Sequence, residues 1–243
     1  SFCQNRHQHL LQQGRRHFLL HRPATNDPAS PPRSKMSVKV CTHPLMKHKL
    51  AHLRDKSVQP KEFRELSNEI STLLAYEAMA DLPTVEGTVA TPFADSCKTE
   101  MVSSDIGVVP IMRSGLGMVD GFIYAYPLAQ VWHVGLYRDT KTLVPVEYYN
   151  RFSLESSLNM VYVLDSTLNC GAVDKSAVGL VKEWGVKNIK LCVIVASPEG
   201  IQAFHKEHPD VDIVTGSIDE GLTEGSDVYP GLGDPGNRFF GTV

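Results

Sequence analysis

The chain has 243 residues, 42% of them apolar and 21% charged, with 18 Gly and 15 Pro. That balance suits one domain of about 200 residues with a tail, and it excludes collagen-like and disordered chains; no apolar run approaches the ~20 residues of a membrane-spanning helix. The net charge is −3, but residues 1–35 carry six Lys/Arg against Asp27 alone, so the rest stands at −8 and is poorly suited to nucleic acid.

Residues 1–37 show no helical or strand period, hold four His and end in a proline cluster (Pro23, Pro28, Pro31, Pro32), and read as a disordered N-terminal extension. Two readings of it stay open. An Arg-rich, acid-poor segment with Phe18, Leu19 and Leu20 fits an organellar transit peptide, and it equally fits an appendage upstream of Met36. The domain is expected over 38–243.

From Pro60, apolar residues recur three and four apart (Phe63, Leu66, Ile70, Leu73, Leu74, Ala78), which predicts a helix to about Ala80, closed by Pro83. His43, His48 and His52 precede it on a polar stretch and read as solvated. Five β-rich runs follow: 106–112, 131–137, 160–164, 189–196 and 211–217. Helical patterns lie between most of them, at 117–124, 175–184 and 198–206. Near-continuous apolar strands alternating with helices predict an α/β fold, a mainly parallel five-stranded sheet flanked by helices. Thr140 to Phe152, rich in Thr, Val and Tyr around Pro145, reads as a hairpin flap.

Ligands of such sheets bind beyond the carboxyl ends of the strands. Arg113 and Arg138 each follow a strand there, and two fixed cations suit a polyphosphate, although arginines at strand ends also serve as partners of carboxylates. Asp165, at the tip of its strand, leads through Ser166, Thr167, Leu168, Asn169, Cys170 and Gly171 into the next helix, at Ala172 and Val173. Free amides at a helix N-terminus hold a phosphate, and a carboxylate beside them can accept bonds from sugar hydroxyls; the same arrangement also occurs for purely structural reasons. Residues 230–242 (Pro-Gly-Leu-Gly-Asp-Pro-Gly-Asn-Arg-Phe-Phe-Gly-Thr) pack four glycines and two prolines into a constrained loop whose amides can read a small planar ligand, with Phe239 and Phe240 as a buried anchor.

The five cysteines are scattered and form no C-x-x-C pair, so neither a disulfide framework nor a zinc site is indicated, and a reducing, cytoplasmic compartment follows. No Gly-x-Ser-x-Gly or Walker sequence is present.

Taken together, His43-Pro-Leu-Met-Lys-His-Lys49, Tyr76-Glu-Ala78, Val109-Pro-Ile-Met-Arg-Ser-Gly-Leu-Gly-Met118, Ala196-Ser-Pro-Glu-Gly200 and the 230–242 loop resemble uracil phosphoribosyltransferases over residues 38–243. The resemblance implies the type I phosphoribosyltransferase fold with a C-terminal base-binding hood. It implies transfer from 5-phosphoribosyl 1-diphosphate to uracil, giving UMP and diphosphate, with Mg²⁺ bound mainly through substrate. Arg113 and Arg138 would bind the diphosphate, Asp165 the ribose hydroxyls, and residues 166–173 the 5′-phosphate. Val228, Gly233 and Pro235 would read uracil through backbone groups, with Asp234 beside the ribosyl group, and Tyr148, Tyr149 and Arg151 would be the contacts of the flap. A homodimer or tetramer is implied, with GTP as an effector in some members.

One segment departs from the family pattern. Where that pattern reads Asp-Pro-Met-Leu-Ala-Thr-Gly-Gly-Ser, this chain has Asp165-Ser-Thr-Leu-Asn-Cys-Gly-Ala-Val173, followed by Asp174. Two hydroxyl donors are replaced by a thiol and an isopropyl group, and a carboxyl is added at the helix start. Two outcomes stay open at this point: a uracil phosphoribosyltransferase, or a catalytically weak or inactive homologue serving as a nucleotide-binding regulator or as the subunit partner of an active paralogue.

Overall fold

Apolar runs that a strand can bury on both faces alternate here with helices that each offer one apolar stripe, and the chain layers accordingly. A computed structural model describes residues 37–139, 142 and 144–242. The expected extension therefore lies outside the described residues, except for Ser37, whose amide donates to Asp212 Oδ1 at 3.1 Å. The five expected strands are β4 (Ile106–Met112), β6 (Val134–Arg138), β8 (Met160–Leu168), β9 (Asn188–Ala196) and β10 (Asp212–Ile218), after β1 (Val38–Val40), β2 (Thr84–Thr91) and β3 (Ala94–Val102), with the short β5 (Gln130–Val131) preceding β6. With β1, β5 and β7 (Pro145–Asn150) the five form an eight-stranded sheet in the order β1-β10-β9-β8-β4-β6-β7, β5 lying beside β4, while β2 and β3 pair apart from it. Every pairing in it is parallel except β6 with β7.

Alternation along the strands assigns each face its cover. Tyr162, Leu164, Cys192 and Ile194 face one core, with Met46, Leu50 and Leu53 of α1 (Pro44–Arg54), Phe63, Ile70 and Leu74 of α2 (Pro60–Met79) and Phe122 of α3 (Val119–Ala125). Val161, Val163, Leu191 and Val193 face the other, with Ala177, Val178 and Val181 of α4 (Ala172–Glu183) and Phe204 of α5 (Pro198–Glu207). No helix among the described residues is long and apolar enough to cross a membrane.

Two elements had no clear sequence signal. Helix α1 carries the histidines read as a polar stretch: His43 caps it, its Nδ1 accepting from the Leu45 amide at 3.2 Å, and Pro44 occupies the first turn. The β2–β3 hairpin lies off the main sheet and is largely exposed, so burial imposes no alternation on its sequence. The flap is seen as the return strand β7, antiparallel to β6; Thr140, Lys141 and Leu143 lie outside the described residues.

Candidate active site

The carboxyl ends of β4, β6 and β8 open onto one cleft of about 400 Å³, which the segment after the short strand Val228–Tyr229 closes from the far side. Arg113, Ser114, Arg138, Asp165, Thr167, the turn 169–171, Ala172, Val173, Asp174 and 233–236 all line it.

Strand β8 runs further than its apolar run suggested. It pairs with β9 through Thr167↔Val195 and Leu168↔Ala196, so Asp165 sits inside the strand and the turn is only Asn169–Gly171. The predicted phosphate residues divide here: Asp165 and Thr167 line the cleft, while Ser166 turns to Ser114 O and Leu168 packs into the core under α4 and α5, and neither lines it. Asp165 is 8% exposed. Ser114 Oγ and the Ser166 amide both donate to its Oδ1, and Ser166 Oγ donates back to Ser114 O at 3.1 Å. Burial pushes the Asp165 carboxyl up to about 6, against the hydrogen bonds from Ser114, Ser166 and Thr167 that favour its charged form.

Gly171 begins α4 in the left-handed region (φ 75°), where a side chain is strained, and a Cβ there would lie 3.1 Å from Gly200 O. The start of α5 braces the same turn: Ser197 Oγ donates to Asn169 O at 2.6 Å, and the Ser197 amide donates to Leu168 O at 3.0 Å. The first amides of α4 lack intrahelical partners, so they and the helix dipole favour an anion at this turn. Asp174 works against that in its charged form. It is 3% exposed, and burial, then the charge of Asp165, raise its pKa well above the ordinary carboxyl value.

Uncharged groups hold both arginines at the cleft. Arg138 donates to Cys170 Sγ at 3.3 Å and to Gly225 O at 3.1 Å. Arg113, reached through a cis peptide bond from Met112, donates to Asn237 Oδ1 at 3.0 Å and Thr242 Oγ1 at 3.3 Å. Their charge is thus available to a polyanion.

In the hood, Asp234 caps α6 (Pro235–Phe240), its Oδ1 accepting from the Asn237 amide at 2.8 Å. Gly233 has φ 71°, and Gly117 leaves room for the Phe239 ring, which a Cβ would meet at 2.6 Å. Phe239 packs on the core whereas Phe240 is 42% exposed, so a single aromatic anchors the segment, not the expected pair. Gly233, Asp234 and Pro235 line the cleft; Val228 is buried behind it. Of the three expected flap contacts, Tyr148 lines the cleft. A bulge sets it there: Tyr149 pairs with Gly135 and Glu147 with Leu136, leaving Tyr148 as the extra residue, while Tyr149 and Arg151 lie outside the cleft.

The model of the family described as uracil phosphoribosyltransferase matches residues 40–242. The chain belongs to the uracil phosphoribosyltransferase family. A uracil phosphoribosyltransferase of Symbiobacterium thermophilum is 48% identical over 205 residues, covering 84% of this chain and 98% of the relative. One from Dictyoglomus turgidum is 47% identical over 203 residues, covering 84% and 98%. Among solved structures, the AQ2163 protein of Aquifex aeolicus superposes with a TM-score of 0.79 at 29% identity, covering 84% of this chain and 97% of that one. Family membership therefore spans the cleft and the sheet that builds it.

Ser114 and Asp227 also line this family cleft but were not among the candidates read from the sequence. Ser114 had a usable signal in its place directly after Arg113. Asp174, the carboxyl noted in the sequence at the start of the helix after the phosphate turn, lines the cleft as well.

Proposed function

We propose that the chain transfers the phosphoribosyl group of 5-phosphoribosyl 1-diphosphate to uracil, within one domain spanning 38–243. The bond from C1 of the ribose to diphosphate breaks, a bond from C1 to N1 of uracil forms, and the N1 proton is released, giving UMP and diphosphate. The observation that carries this reading is the convergence of Arg113, Arg138, Asp165, the turn 169–173 and the hood 233–236 on one cleft. The same convergence favours it over a non-catalytic role.

Charge develops in two places as the bond to diphosphate breaks, positive on the ribose and negative on the leaving group. Arg113 and Arg138 neutralise the diphosphate, and Asp165 accepts bonds from the ribose hydroxyls close to the cationic ring. The amides of 169–173 hold the 5′-phosphate, which fixes C1 in line with the base. Backbone groups at Gly233 and Pro235 read the alternating donor and acceptor edge of uracil and disfavour cytosine, whose amino group would face a donor. Tyr148 covers the cleft against water.

Among the described residues no group of three or more His, Cys, Asp or Glu is placed to hold a metal. The hard oxygen of Asp165 fits Mg²⁺ that arrives with its substrate oxygens and waters. Such an ion would add positive charge against the diphosphate. Association into a homo-oligomer is part of the proposal, supported by the β2–β3 hairpin, whose Val85, Val89 and Met101 are exposed in the single chain.

The test is direct: purified chain, labelled uracil, phosphoribosyl diphosphate and Mg²⁺, with cytosine as control. Labelled UMP from uracil alone supports the reading, and absence of nucleotide at any enzyme concentration rejects it.

A further inference from the structure

The backbone that would read the base follows a two-stranded pair, Gly221–Leu222 with Val228–Tyr229, that lies off the main sheet. Pro230 to Gly233 is instead gripped from outside the cleft. Arg54, the last residue of α1, makes a two-pronged ion pair with Asp219, just beyond β10. The Asp219 side chain is 2% exposed. The same two residues bracket Gly231 on both sides of its backbone: its amide donates to Asp219 Oδ2 at 2.9 Å, and its carbonyl accepts from Arg54 Nη1 at 2.8 Å. Ser217 Oγ donates to Asp219 Oδ1 at 2.9 Å and completes the carboxylate's shell. Gly231 itself has φ 61°, and a Cβ there would run into Val228 O, so the chain passes this point in one conformation.

A second arginine continues the grip. Arg238 donates to Leu232 O at 2.9 Å and to Asp55 O, and lies 4.4 Å over the Phe63 ring. Leu232 is followed at once by Gly233, the first hood residue on the cleft.

Resting on the proposed uracil transfer, we infer that the Arg54–Asp219 pair is a positioning device for base recognition: it fixes Gly231 and thereby sets where the backbone of 233–235 meets the pyrimidine edge. Neither residue lines the cleft, so neither touches substrate. The charge pair suits this role better than packing would. A guanidinium fork and a carboxylate set direction as well as distance, and one fork serves both the carboxylate and a carbonyl. The phosphate turn hangs on β8, α4 and α5, and the two arginines meet this side of the cleft at Gly225, Asn237 and Thr242 rather than at 231–233, so the effect falls chiefly on the base.

The test is the steady-state KM for each substrate in the full-length chain, in Asp219→Asn and in Arg54→Lys. Asp219→Asn removes the charge and half of the accepting capacity. Arg54→Lys keeps a cation beside the carboxylate but loses the fork that reaches Gly231 O. Expected is a rise of about tenfold or more in the KM for uracil in Asp219→Asn, a smaller rise in Arg54→Lys, and a KM for phosphoribosyl diphosphate within about twofold of the parent. Hydrogen exchange of the 229–236 backbone should quicken in the same order. A merely structural role lowers the folded fraction, which reduces maximal rate and leaves both KM values alone. That result, or a parallel rise in both KM values, overturns the inference. If Asp219→Asn does not fold, Arg54→Lys alone carries the same readout. A parent chain that converts no uracil rejects the functional reading and this inference with it, whereas an active parent with unchanged uracil KM in both variants rejects the inference alone.

Discussion

Asp165 acts on Asp174, a second buried carboxyl, across the root of the phosphate turn: burial, and after it the charge of Asp165, raises the proton affinity of Asp174. Asp165 itself is pushed by burial to about 6 from an ordinary value of 3.8. Both folded values lie above the unfolded ones, so from about pH 4 upward the folded chain binds more protons, and the stability these groups contribute is lost as pH rises through the folded values. Asp174→Asn keeps the shape and removes the charge. Its stability should match the parent near pH 3.5, below the ordinary carboxyl value, and exceed it by a growing margin as pH rises toward 8, because the cost of ionising a buried carboxyl is gone. Parallel melting temperatures across that range contradict this.

Ser114 opposes the burial of Asp165 by donating to its charged form. If ribose binding requires the carboxylate, the acid limb of kcat/KM falls near the Asp165 value, and activity rises with pH through it. Ser114→Ala removes one stabilising bond, raises the Asp165 pKa further and moves that limb to higher pH. An unmoved limb would show that another group sets it.

The left-handed φ of 75° at Gly171 shapes the phosphate turn. Gly171→Ala should cost about 1–2 kcal/mol of stability through backbone strain and weaken UMP binding more than uracil binding. Calorimetry with each ligand separates the two. Equal weakening of both ligands counts against a local phosphate role.

Cys170, Ala172 and Val173 all line the cleft where the family pattern has Thr, Gly and Ser. Each restored hydroxyl can add a hydrogen bond to a charged phosphate, worth about 1.5–3 kcal/mol. The triple substitution Cys170→Thr, Ala172→Gly and Val173→Ser should therefore tighten UMP by roughly tenfold or more, even though a hydroxyl in place of the thiol alters the contact with Arg138. No gain would mean that the amides of the turn suffice.

The parallel strands and their two-sided cover could be read from sequence because burial on both faces leaves continuous apolar runs, as at 160–164 and 189–196. Arg113 and Arg138 could be placed for a related reason, since one follows and the other ends a strand on the ligand side; Asp165 could be placed because it ends the apolar run 160–164, and Gly233 through the glycine and proline density of its loop. The end of β8 could not. Ser166, Thr167 and Leu168 look like a loop by composition, and only pairing with β9 makes them strand and turns Ser166 away from the cleft. Tyr148 was told apart from Tyr149 by a bulge, which no periodicity announces. The grip of Arg54 and Asp219 on Gly231 spans more than 160 residues of sequence and belongs to tertiary structure alone.

A crystal of the chain soaked with UMP tests the phosphate turn and the base hood in one observation. The phosphate should lie against the amides of 169–173, with the ribose hydroxyls at Asp165 and the uracil edge on the backbone at 233–235. A nucleotide bound elsewhere, or a cleft that stays empty at saturating UMP, would contradict the assignment of this cleft to phosphoribosyl transfer.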